Sequence, residues 1–225
     1  LYEGDDCVSA EIANIGILGG SFDPIHFGHI KPSIALAEQF NLHKIRLLPC
    51  KVSPFKERTH ASAQDRWNMV SVVAGSSDLF VADPRELNRD TPSYTYLSLL
   101  EIANENEGKA KLFFIIGGDA LNDFPKWYQA EKIMQLCHVL VAPRRGFELT
   151  KDKEKLKWLN RYLCDDRTLL EKNNVGYIYI TDIELIEVSS TQIRQTIESG
   201  EQPKFLLPGG VWNYIKRNQL YANTQ

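Results

Sequence analysis

The 225-residue sequence lacks the features that mark membrane-spanning, secreted and nucleic-acid-binding proteins. Its longest apolar runs, such as residues 112–116, are far shorter than the roughly 20 residues that a transmembrane helix needs. Residues 1–10 carry acidic side chains and no apolar stretch, so they do not resemble a signal peptide. The formal net charge of −3 provides no basic surface for nucleic acid or an anionic membrane. We therefore expect a cytoplasmic protein without a nucleic-acid or membrane partner.

Cysteine is also scarce, and its spacing excludes two further classes of protein. The four cysteines stand far apart and form no Cys-x-x-Cys pair, namely Cys7, Cys50, Cys137 and Cys164. This pattern predicts reduced thiols rather than a zinc site or a disulfide framework. Nothing in the sequence supplies a base beside Cys50, so we assign it no nucleophilic role.

No linker rich in Pro, Gly or Ser divides the chain, and 43% hydrophobic and 24% charged residues are ordinary proportions for a globular protein. We predict one domain over residues 13–221, in which residues 190–221 form a small C-terminal helical part. Residues 1–12 show no pattern and begin without methionine, so we expect a trimmed and frayed extension. The sequence leaves the oligomeric state open, a homo-oligomer included.

Short apolar runs alternate with amphipathic stretches along the chain. The runs predict strands at 15–18, 45–48, 79–82, 112–116, 139–142 and 177–180. The amphipathic stretches predict helices at 29–40, 62–74, 94–105, 126–135, 152–163, 191–199 and 210–218. This alternation indicates an α/β protein with a doubly wound, mainly parallel sheet. Ligands of such sheets bind at the carboxyl ends of the strands, so functional residues should follow the predicted strands.

The most informative stretch is residues 19–29, Gly-Gly-Ser-Phe-Asp-Pro-Ile-His-Phe-Gly-His, between the first predicted strand and helix. The two glycines lack a Cβ that would block a ligand, and the start of a helix presents unpaired N–H groups to an anion. This indicates a phosphate site. The stretch lacks the Gly-x-Gly-x-x-Gly fingerprint of dinucleotide-binding dehydrogenases. Pro32 is tolerated in the predicted helix only because it falls in the first turn.

Each part of this stretch also has a simpler interpretation. Two glycines after a strand commonly form only a turn. The pair His26 and His29 can donate hydrogen bonds to phosphoryl oxygens, but it can equally decorate a surface or form half of a metal site.

Further polar groups follow the other predicted strands, and each has two interpretations. Ser189–Thr191 forms a good helix N-cap, yet its hydroxyls together with Arg194 also suit a polyphosphate. Asp119 can cap a helix or accept hydrogen bonds from ribose hydroxyls. Trp127 and Tyr128 can be core aromatics or stack on a flat ring.

Residues 93–95 illustrate the same ambiguity at the start of another predicted helix. They can cap that helix, or their amides can hold a small carboxylate. Four cations after the second and third predicted strands are most simply solvated surface charges, namely Lys51, Lys56, Arg85 and Arg89.

Several motifs together resemble one family, the bacterial nicotinate-mononucleotide adenylyltransferases of the His-x-Gly-His nucleotidyltransferase superfamily. The resemblance extends from about residue 15 to residue 221. It rests on the stretch at 19–29 and on Pro-Ser-Tyr-Thr at 92–95, Ile-Ile-Gly-Gly-Asp at 115–119, Phe-Pro-Lys-Trp-Tyr at 124–128, Pro-Arg-Arg at 143–145, Val-Ser-Ser-Thr-Gln-Ile-Arg at 188–194 and Leu-Leu-Pro at 206–208.

This resemblance implies a Rossmann-like fold and transfer of AMP from ATP to nicotinate mononucleotide, which yields deamido-NAD and pyrophosphate. It implies Mg²⁺ carried by the ATP phosphates, without metal ligands from side chains. The implied catalytic residues are His26, His29 and Arg194. The implied ATP site comprises Gly19, Gly20, Ser21, Phe22, His26, His29, Gly117, Asp119, Arg144, Ser190, Thr191 and Arg194. The implied substrate site comprises Lys51, Lys56, Tyr94, Thr95, Trp127 and Tyr128.

One departure and two alternatives accompany the resemblance. The family often has Pro-Pro-His-Lys where this chain has Ser-Pro-Phe-Lys at 53–56, and Phe55 cannot donate to a phosphate. A related transferase acting on nicotinamide mononucleotide or phosphopantetheine is one alternative, although the pantetheine enzymes are shorter and lack the Trp-Tyr box. The other is a non-catalytic nucleotide sensor, which loss of His26 or His29 would suggest; both are present.

Overall fold

A parallel β-sheet forms the centre of the computed structural model, which describes residues 12–51, 59–183 and 187–222. The strands are β1 (Ala13–Gly20), β2 (Lys44–Pro49), β3 (Phe80–Ala82), β4 (Ala110–Gly117), β5 (His138–Ala142), β6 (Leu163–Cys164) and β7 (Ile178–Ile180). Within the described residues they form one seven-stranded sheet in the order β3-β2-β1-β4-β5-β7-β6, with every neighbouring pair parallel. The predicted doubly wound α/β fold is confirmed.

The helices are α1 (Phe27–Phe40), α2 (Ala63–Ala74), α3 (Thr95–Asn106), α4 (Gly118–Asp123), α5 (Ala130–Ile133), α6 (Lys153–Leu159), α7 (Thr168–Lys172), α8 (Ser190–Glu198) and α9 (Gly209–Arg217). A 3₁₀ turn at Phe124–Lys126 joins α4 to the segment before α5. None of the helices in the described parts of the chain is long and apolar enough to cross a membrane.

The helices cover both faces of the sheet, and β4 shows how one strand serves two cores. Phe113 and Ile115 pack in the core that α1, α2, α8 and α9 cover. Leu112, Phe114 and Ile116 pack in the core that α3, α5 and α6 cover. Successive side chains of a strand point to opposite faces, so a nearly continuous apolar run is what a strand buried on both sides requires.

The strand order reverses at β1, which has β2 on one side and β4 on the other. In doubly wound sheets this reversal opens a crevice at the carboxyl ends of the two strands, because the following connections leave in opposite directions. The motif at 19–29 begins with the last two residues of β1, and Gly117–Asp119 joins the end of β4 to the start of α4. The fold therefore brings these two segments to one crevice.

Two predicted helices are wrong in extent. Residues 126–135 do not form one helix: Trp127 is extended, Gln129 has a left-handed φ of 58°, and α5 spans four residues. The cause is tertiary packing, because Phe124 and Trp127 both turn into the core beneath β4. The helix expected over 152–163 ends at Leu159, and residues 163–164 form the edge strand β6. The short elements α4, α7 and β6 had not been predicted.

The position of Pro32 also differs from the expectation. Helix α1 begins two residues earlier than predicted, at Phe27, so Pro32 is its sixth residue and lies beyond the first turn. Proline there forgoes the hydrogen bond to the carbonyl of Gly28. The first turn instead owes its stability to capping by two histidines.

Candidate active site

The carboxyl end of β1 is open toward solvent at Gly19 and closed at Gly20. A Cβ on Gly19 would meet nothing within 4 Å, whereas one on Gly20 would lie 3.2 Å from the ring of Phe22. Phe22 is fully buried with a positive φ of 48°, and its ring contacts the edge of His29 at a centroid distance of 5.2 Å. Phe22 thus supports the loop from the core side.

His26 and His29 cap the start of α1 reciprocally. The Gly28 amide donates to Nδ1 of His26 at 3.1 Å, and the His26 amide donates to Nδ1 of His29 at 3.3 Å. In a neutral imidazole, a nitrogen that accepts a hydrogen bond carries no proton, so the proton lies on Nε2 of both rings. The rings lie 3.8 Å apart between centroids. The capping geometry therefore directs the proton of each neutral ring to Nε2.

The neighbourhood of His26 keeps its ring neutral. Burial, with a contribution from the nearby guanidinium of Arg144, lowers the pKa of His26 from its ordinary value of 6.5 to about 4. Arg144 Nε in turn lies 4.0 Å from Oδ2 of Asp119, whose side chain is 84% exposed in the first turn of α4. The structure thus brings His26, Arg144, Asp119 and the end of β4 together.

The start of α8 lies against the same loop. Ser189 caps α8 by accepting from the Gln192 amide, Ser190 Oγ donates to the Pro24 carbonyl at 3.0 Å, and Arg194 donates to the Asp23 carbonyl at 2.7 Å. A Cβ on Gly28 would lie 3.0 Å from the Val188 carbonyl, so a glycine is needed for this close approach. Two helix starts, α1 and α8, therefore meet at one site.

The sequence interpretation missed the group that holds this loop in place, the buried carboxylate of Asp23. It accepts from the amides of His60 (2.7 Å) and Ala61 (3.0 Å) and from the Tyr221 hydroxyl at 2.8 Å. Burial and the adjacent carboxylate both raise the pKa of Tyr221. Arg66, which is 1% exposed, donates to the carbonyls of Ser21 and Cys50. The Asp-Pro step at 23–24, inside the motif, could have pointed to a structural role of Asp23. No pattern in the sequence pointed to Arg66 or Tyr221 as its neighbours.

A second group of predicted residues meets beside β4. The rings of Tyr94 and Tyr128 lie 4.6 Å apart, so the start of α3 touches the loop after α4. Trp127 packs edge-on against Phe124 and Phe114, with ring centroids 5.2 and 6.0 Å away. This end of the crevice is aromatic, while the end at α1 and α8 is rich in hydrogen-bond donors.

The start of α3 lacks the side-chain cap that one of the two interpretations of residues 93–95 predicts. Its N-cap residue, Tyr94, makes no side-chain capping bond. The Ser93 hydroxyl instead accepts from the amide of Lys51 at 3.1 Å. The ammonium of Lys51 donates to the Arg89 carbonyl and to Asp90. Lys56 and Phe55 lie outside the described residues.

Arg85 and Arg89 are not the solvated surface charges expected from the sequence. Their side chains are 10% and 13% exposed, and they pair with Asp83, Glu101 and Glu105. Burial alone would raise the pKa of Asp83, but hydrogen bonds from Arg85 and Arg46 lower it overall. The reason for the difference is that Asp83, directly after β3, and Glu101 and Glu105 on α3 supply opposing carboxylates.

Residues 17–196 match the model of the cytidylyltransferase-like family. A protein of Serratia proteamaculans named "Probable nicotinate-nucleotide adenylyltransferase" is 40% identical over 206 residues, which cover 91% of this chain and 94% of that protein. A protein of Klebsiella pneumoniae with the same name is 39% identical over 207 residues, or 92% and 96% of the two chains. The chain belongs to the nicotinate-nucleotide adenylyltransferase family.

Solved structures support the fold of this nicotinate-nucleotide adenylyltransferase family member. Plasmodium falciparum nicotinic acid mononucleotide adenylyltransferase complexed with APC matches with a TM-score of 0.67 at 21% identity, covering 93% of this chain and 97% of that chain. The same enzyme complexed with NaAD matches with a TM-score of 0.65 at 22% identity. The expected Rossmann-like nucleotidyltransferase fold is confirmed.

Proposed function

We propose that this protein transfers AMP from ATP to nicotinate mononucleotide, giving deamido-NAD and pyrophosphate. The observation that carries the proposal is the pair of capping histidines. Each uses Nδ1 to accept from a backbone amide at the start of α1, beside the crevice where the strand order reverses, so that the proton of each neutral ring lies on Nε2. Neutral donors fixed in one tautomer suit a polyphosphate. The names of the relatives support nicotinate mononucleotide as the substrate.

The reaction needs no side-chain base, because the phosphate of the mononucleotide is already ionised at neutral pH. One of its oxygens forms a bond to the α-phosphorus of ATP, and the bond from that phosphorus to the oxygen bridging to the β-phosphate breaks. The barrier lies in bringing two anions together and in spreading charge over the phosphoryl oxygens. Positioning and fixed donors are therefore the main contributions of the protein.

The proposed donors to the triphosphate are His26, His29, Ser190, Thr191 and Arg194. They lie at the starts of two helices that meet at the loop after β1, where backbone N–H groups add to the favourable field. The geometry gives Arg194 a further role, because it also holds the Asp23 carbonyl in place. We assign ribose binding to Asp119, and Gly19 allows the nucleotide to approach the backbone closely.

Mg²⁺ enters in this proposal as part of the ATP substrate. Across residues 12–51, 59–183 and 187–222, no group of three or more His, Cys, Asp or Glu side chains could hold a metal ion. The ion would neutralise charge on the phosphates that it accompanies. The cysteine pattern favours a reducing compartment, so we place the reaction in the cytoplasm.

The aromatic end of the crevice is the proposed site for the pyridine ring. We assign stacking on the ring to Trp127, beside Tyr128, and binding of the ring carboxylate to the amides near Tyr94 and Thr95 at the start of α3. The amide of Tyr94 itself donates to the Pro92 carbonyl at 2.8 Å. An anion can take the place of a capping side chain at a helix start. This arrangement favours the acid over the amide as substrate.

The test is pyrophosphate release with ATP and Mg²⁺, with nicotinate mononucleotide and nicotinamide mononucleotide offered in parallel. We expect rapid release with the acid, formation of deamido-NAD, and much slower release with the amide. A reaction without acceptor controls for ATP hydrolysis. Equal rates with both acceptors would contradict the acid site, and release with neither would refute the substrate assignment and direct attention to phosphopantetheine.

A further inference from the structure

Tyr221 joins the segment after α9 to the loop between β1 and α1. Its hydroxyl donates to Oδ1 of Asp23 at 2.8 Å, although the two residues are 198 positions apart in the sequence. The chain turns sharply before it reaches this position, with left-handed φ values of 51° at Gln219 and 64° at Tyr221. Residues other than glycine rarely adopt such values, and bulky ones do so where surrounding contacts hold them. The hydrogen bond to Asp23 is one such contact.

The Asp23 carboxylate is held from two directions. It accepts from the amides of His60 and Ala61, which precede the start of α2, and from the Tyr221 hydroxyl on the side of the C-terminal segment. Asp23 is 3% exposed. A buried carboxylate is stable only if such donors take the place of water. These three donors therefore fix the position of Asp23 within the loop.

The backbone of the same Asp-Pro step supports the start of α8. The Asp23 carbonyl accepts from one nitrogen of the Arg194 guanidinium at 2.7 Å, and a second nitrogen donates to Oγ1 of Thr191 at 3.3 Å. The Pro24 carbonyl accepts from Oγ of Ser190 at 3.0 Å. Arg194, Thr191 and Ser190 are the proposed triphosphate donors of α8. The Asp23-Pro24 step is therefore the support on which these donors are placed.

The charges near the Tyr221 hydroxyl favour its role as a donor. Burial and the Asp23 carboxylate both raise the pKa of Tyr221, whereas the guanidinium groups of Arg194 and Arg66 lower it in part. A hydroxyl whose pKa is raised above its ordinary value keeps its proton at neutral pH. Tyr221 therefore remains a donor to Asp23 at neutral pH.

We infer that Tyr221 is a positioning residue for the triphosphate of ATP. By donating to Asp23 it fixes the Asp23-Pro24 step, and the carbonyls of this step hold Arg194 and Ser190 in place for the phosphates. Tyr221 itself does not touch ATP in this inference. The inference rests on the proposed function, because it assigns a support to the same triphosphate site.

The test variant is Tyr221→Phe, which removes the hydroxyl and keeps the ring, and Tyr214→Phe is its matched control. The Tyr214 hydroxyl, on α9, donates to Oδ1 of Asp65 at 2.9 Å and accepts from Asn68 at 2.8 Å. Each variant thus loses one tyrosine hydroxyl that donates to a carboxylate. The carboxylate that Tyr214 binds belongs to α2, whereas the one that Tyr221 binds belongs to the loop before α1.

Binding of ATP and of deamido-NAD, each with Mg²⁺, is measured by isothermal titration calorimetry without an acceptor. Deamido-NAD lacks the β- and γ-phosphates of ATP, so it does not depend on all of the triphosphate donors. We expect Tyr221→Phe to raise the Kd for ATP about 10-fold, the usual effect of losing a hydrogen bond to a charged group. The Kd for deamido-NAD should stay within about 2-fold, and Tyr214→Phe should leave both values within about 2-fold.

Steady-state kinetics provide a second readout that separates positioning from general support of the fold. Tyr221→Phe should raise KM for ATP about 10-fold and leave KM for nicotinate mononucleotide within about 2-fold, because other elements form the aromatic end of the crevice. A merely structural hydroxyl would lower the melting temperature of both tyrosine variants without separating the two substrates. If Tyr221→Phe does not fold, Tyr221→His replaces it; its shorter ring should reach Asp23 poorly and raise the Kd for ATP about 3-fold.

The outcomes that overturn the inference are distinct from failure of the proposed function. Wild-type protein that binds both ligands, together with an unchanged Kd for ATP in Tyr221→Phe, overturns the inference alone. Equal losses for ATP and deamido-NAD in that variant do the same, as does an equal loss of ATP binding in Tyr214→Phe. Wild-type protein that binds neither ATP nor deamido-NAD overturns the proposed function, and this inference falls with it.

Discussion

Two buried histidines lie at opposite ends of the parallel strands. Their environments are similar, but their roles differ. His26 lies beyond the carboxyl end of β1, and His138 is the first residue of β5, at the amino end of that strand. They are 4% and 0% exposed, and burial lowers the pKa of each to about 4. His138 uses both ring nitrogens, since Nδ1 accepts from the Tyr177 amide at 3.3 Å and Nε2 lies 2.9 Å from the Asn173 carbonyl.

His26 uses only one ring nitrogen within the described parts of the chain, namely Nδ1, which accepts from Gly28. Burial and a lowered pKa are thus common to both sites and do not distinguish function from packing. The two histidines differ in the hydrogen bonding of Nε2, which in His138 lies against a backbone carbonyl. A histidine with both nitrogens bonded to backbone holds strands and loops together, whereas one with Nε2–H at a crevice can bind substrate.

Alanine substitution of these histidines should produce the largest difference in turnover between the two ends of the strands. We expect His26→Ala and His29→Ala each to lower kcat by about 10²–10³, the usual effect of losing a donor to transferring phosphoryl oxygens. His138→Ala should leave kcat within about 2-fold, because it has no access to the crevice. The measurement is steady-state pyrophosphate release, with circular dichroism to verify folding. Near-normal turnover in both crevice variants would refute their assignment.

The free energy of unfolding should respond in the reverse order, with a larger loss for His138→Ala than for His26→Ala. His138→Ala removes a buried ring that packs on Phe113 and Tyr177 and leaves two backbone groups without a partner. We expect a loss of about 2–4 kcal/mol in the free energy of unfolding. His26→Ala mainly removes a helix cap, for which about 1 kcal/mol is usual. Urea denaturation at pH 7 measures both. A larger loss for His26→Ala would contradict the comparison.

Acid should destabilise the protein through both histidines. Their folded-state pKa of about 4 lies below the ordinary value of 6.5, so between these pH values the unfolded chain binds more protons than the folded one. Stability is therefore fully present above pH 6.5 and falls as the pH drops toward 4, by about 3 kcal/mol for each histidine. His138→Phe should show about half of this histidine-dependent fall in urea titrations at several pH values. An unchanged pH dependence would contradict the role of His138.

The fold was predictable because its strands carry a strong local signal. The apolar run at 112–116 predicts a buried strand, which is present. The glycines after residue 18 predict a strand-to-helix turn, which is also present but begins after Gly20, because both glycines belong to β1. The helix over 126–135 was wrong because Phe124 and Trp127 gain more from the core than from helical periodicity. Asp23 was missed for a related reason: its partner Tyr221 is identified only by tertiary contact.

Two tryptophans that pack on the same phenylalanine differ in a similar way. Trp127 packs on Phe124 and Phe114 beside the crevice, while Trp158 packs on Phe124 and Tyr162 and donates its indole N–H to Glu131 at 2.8 Å. We expect Trp127→Ala to weaken binding of nicotinate mononucleotide by roughly 1–3 kcal/mol through lost stacking, seen as a rise in KM. Trp158→Ala should leave that KM within about 2-fold, although both variants lose core contacts. An unchanged KM for the pyridine substrate in Trp127→Ala would remove Trp127 from the site, since packing is common to both residues and only stacking separates them.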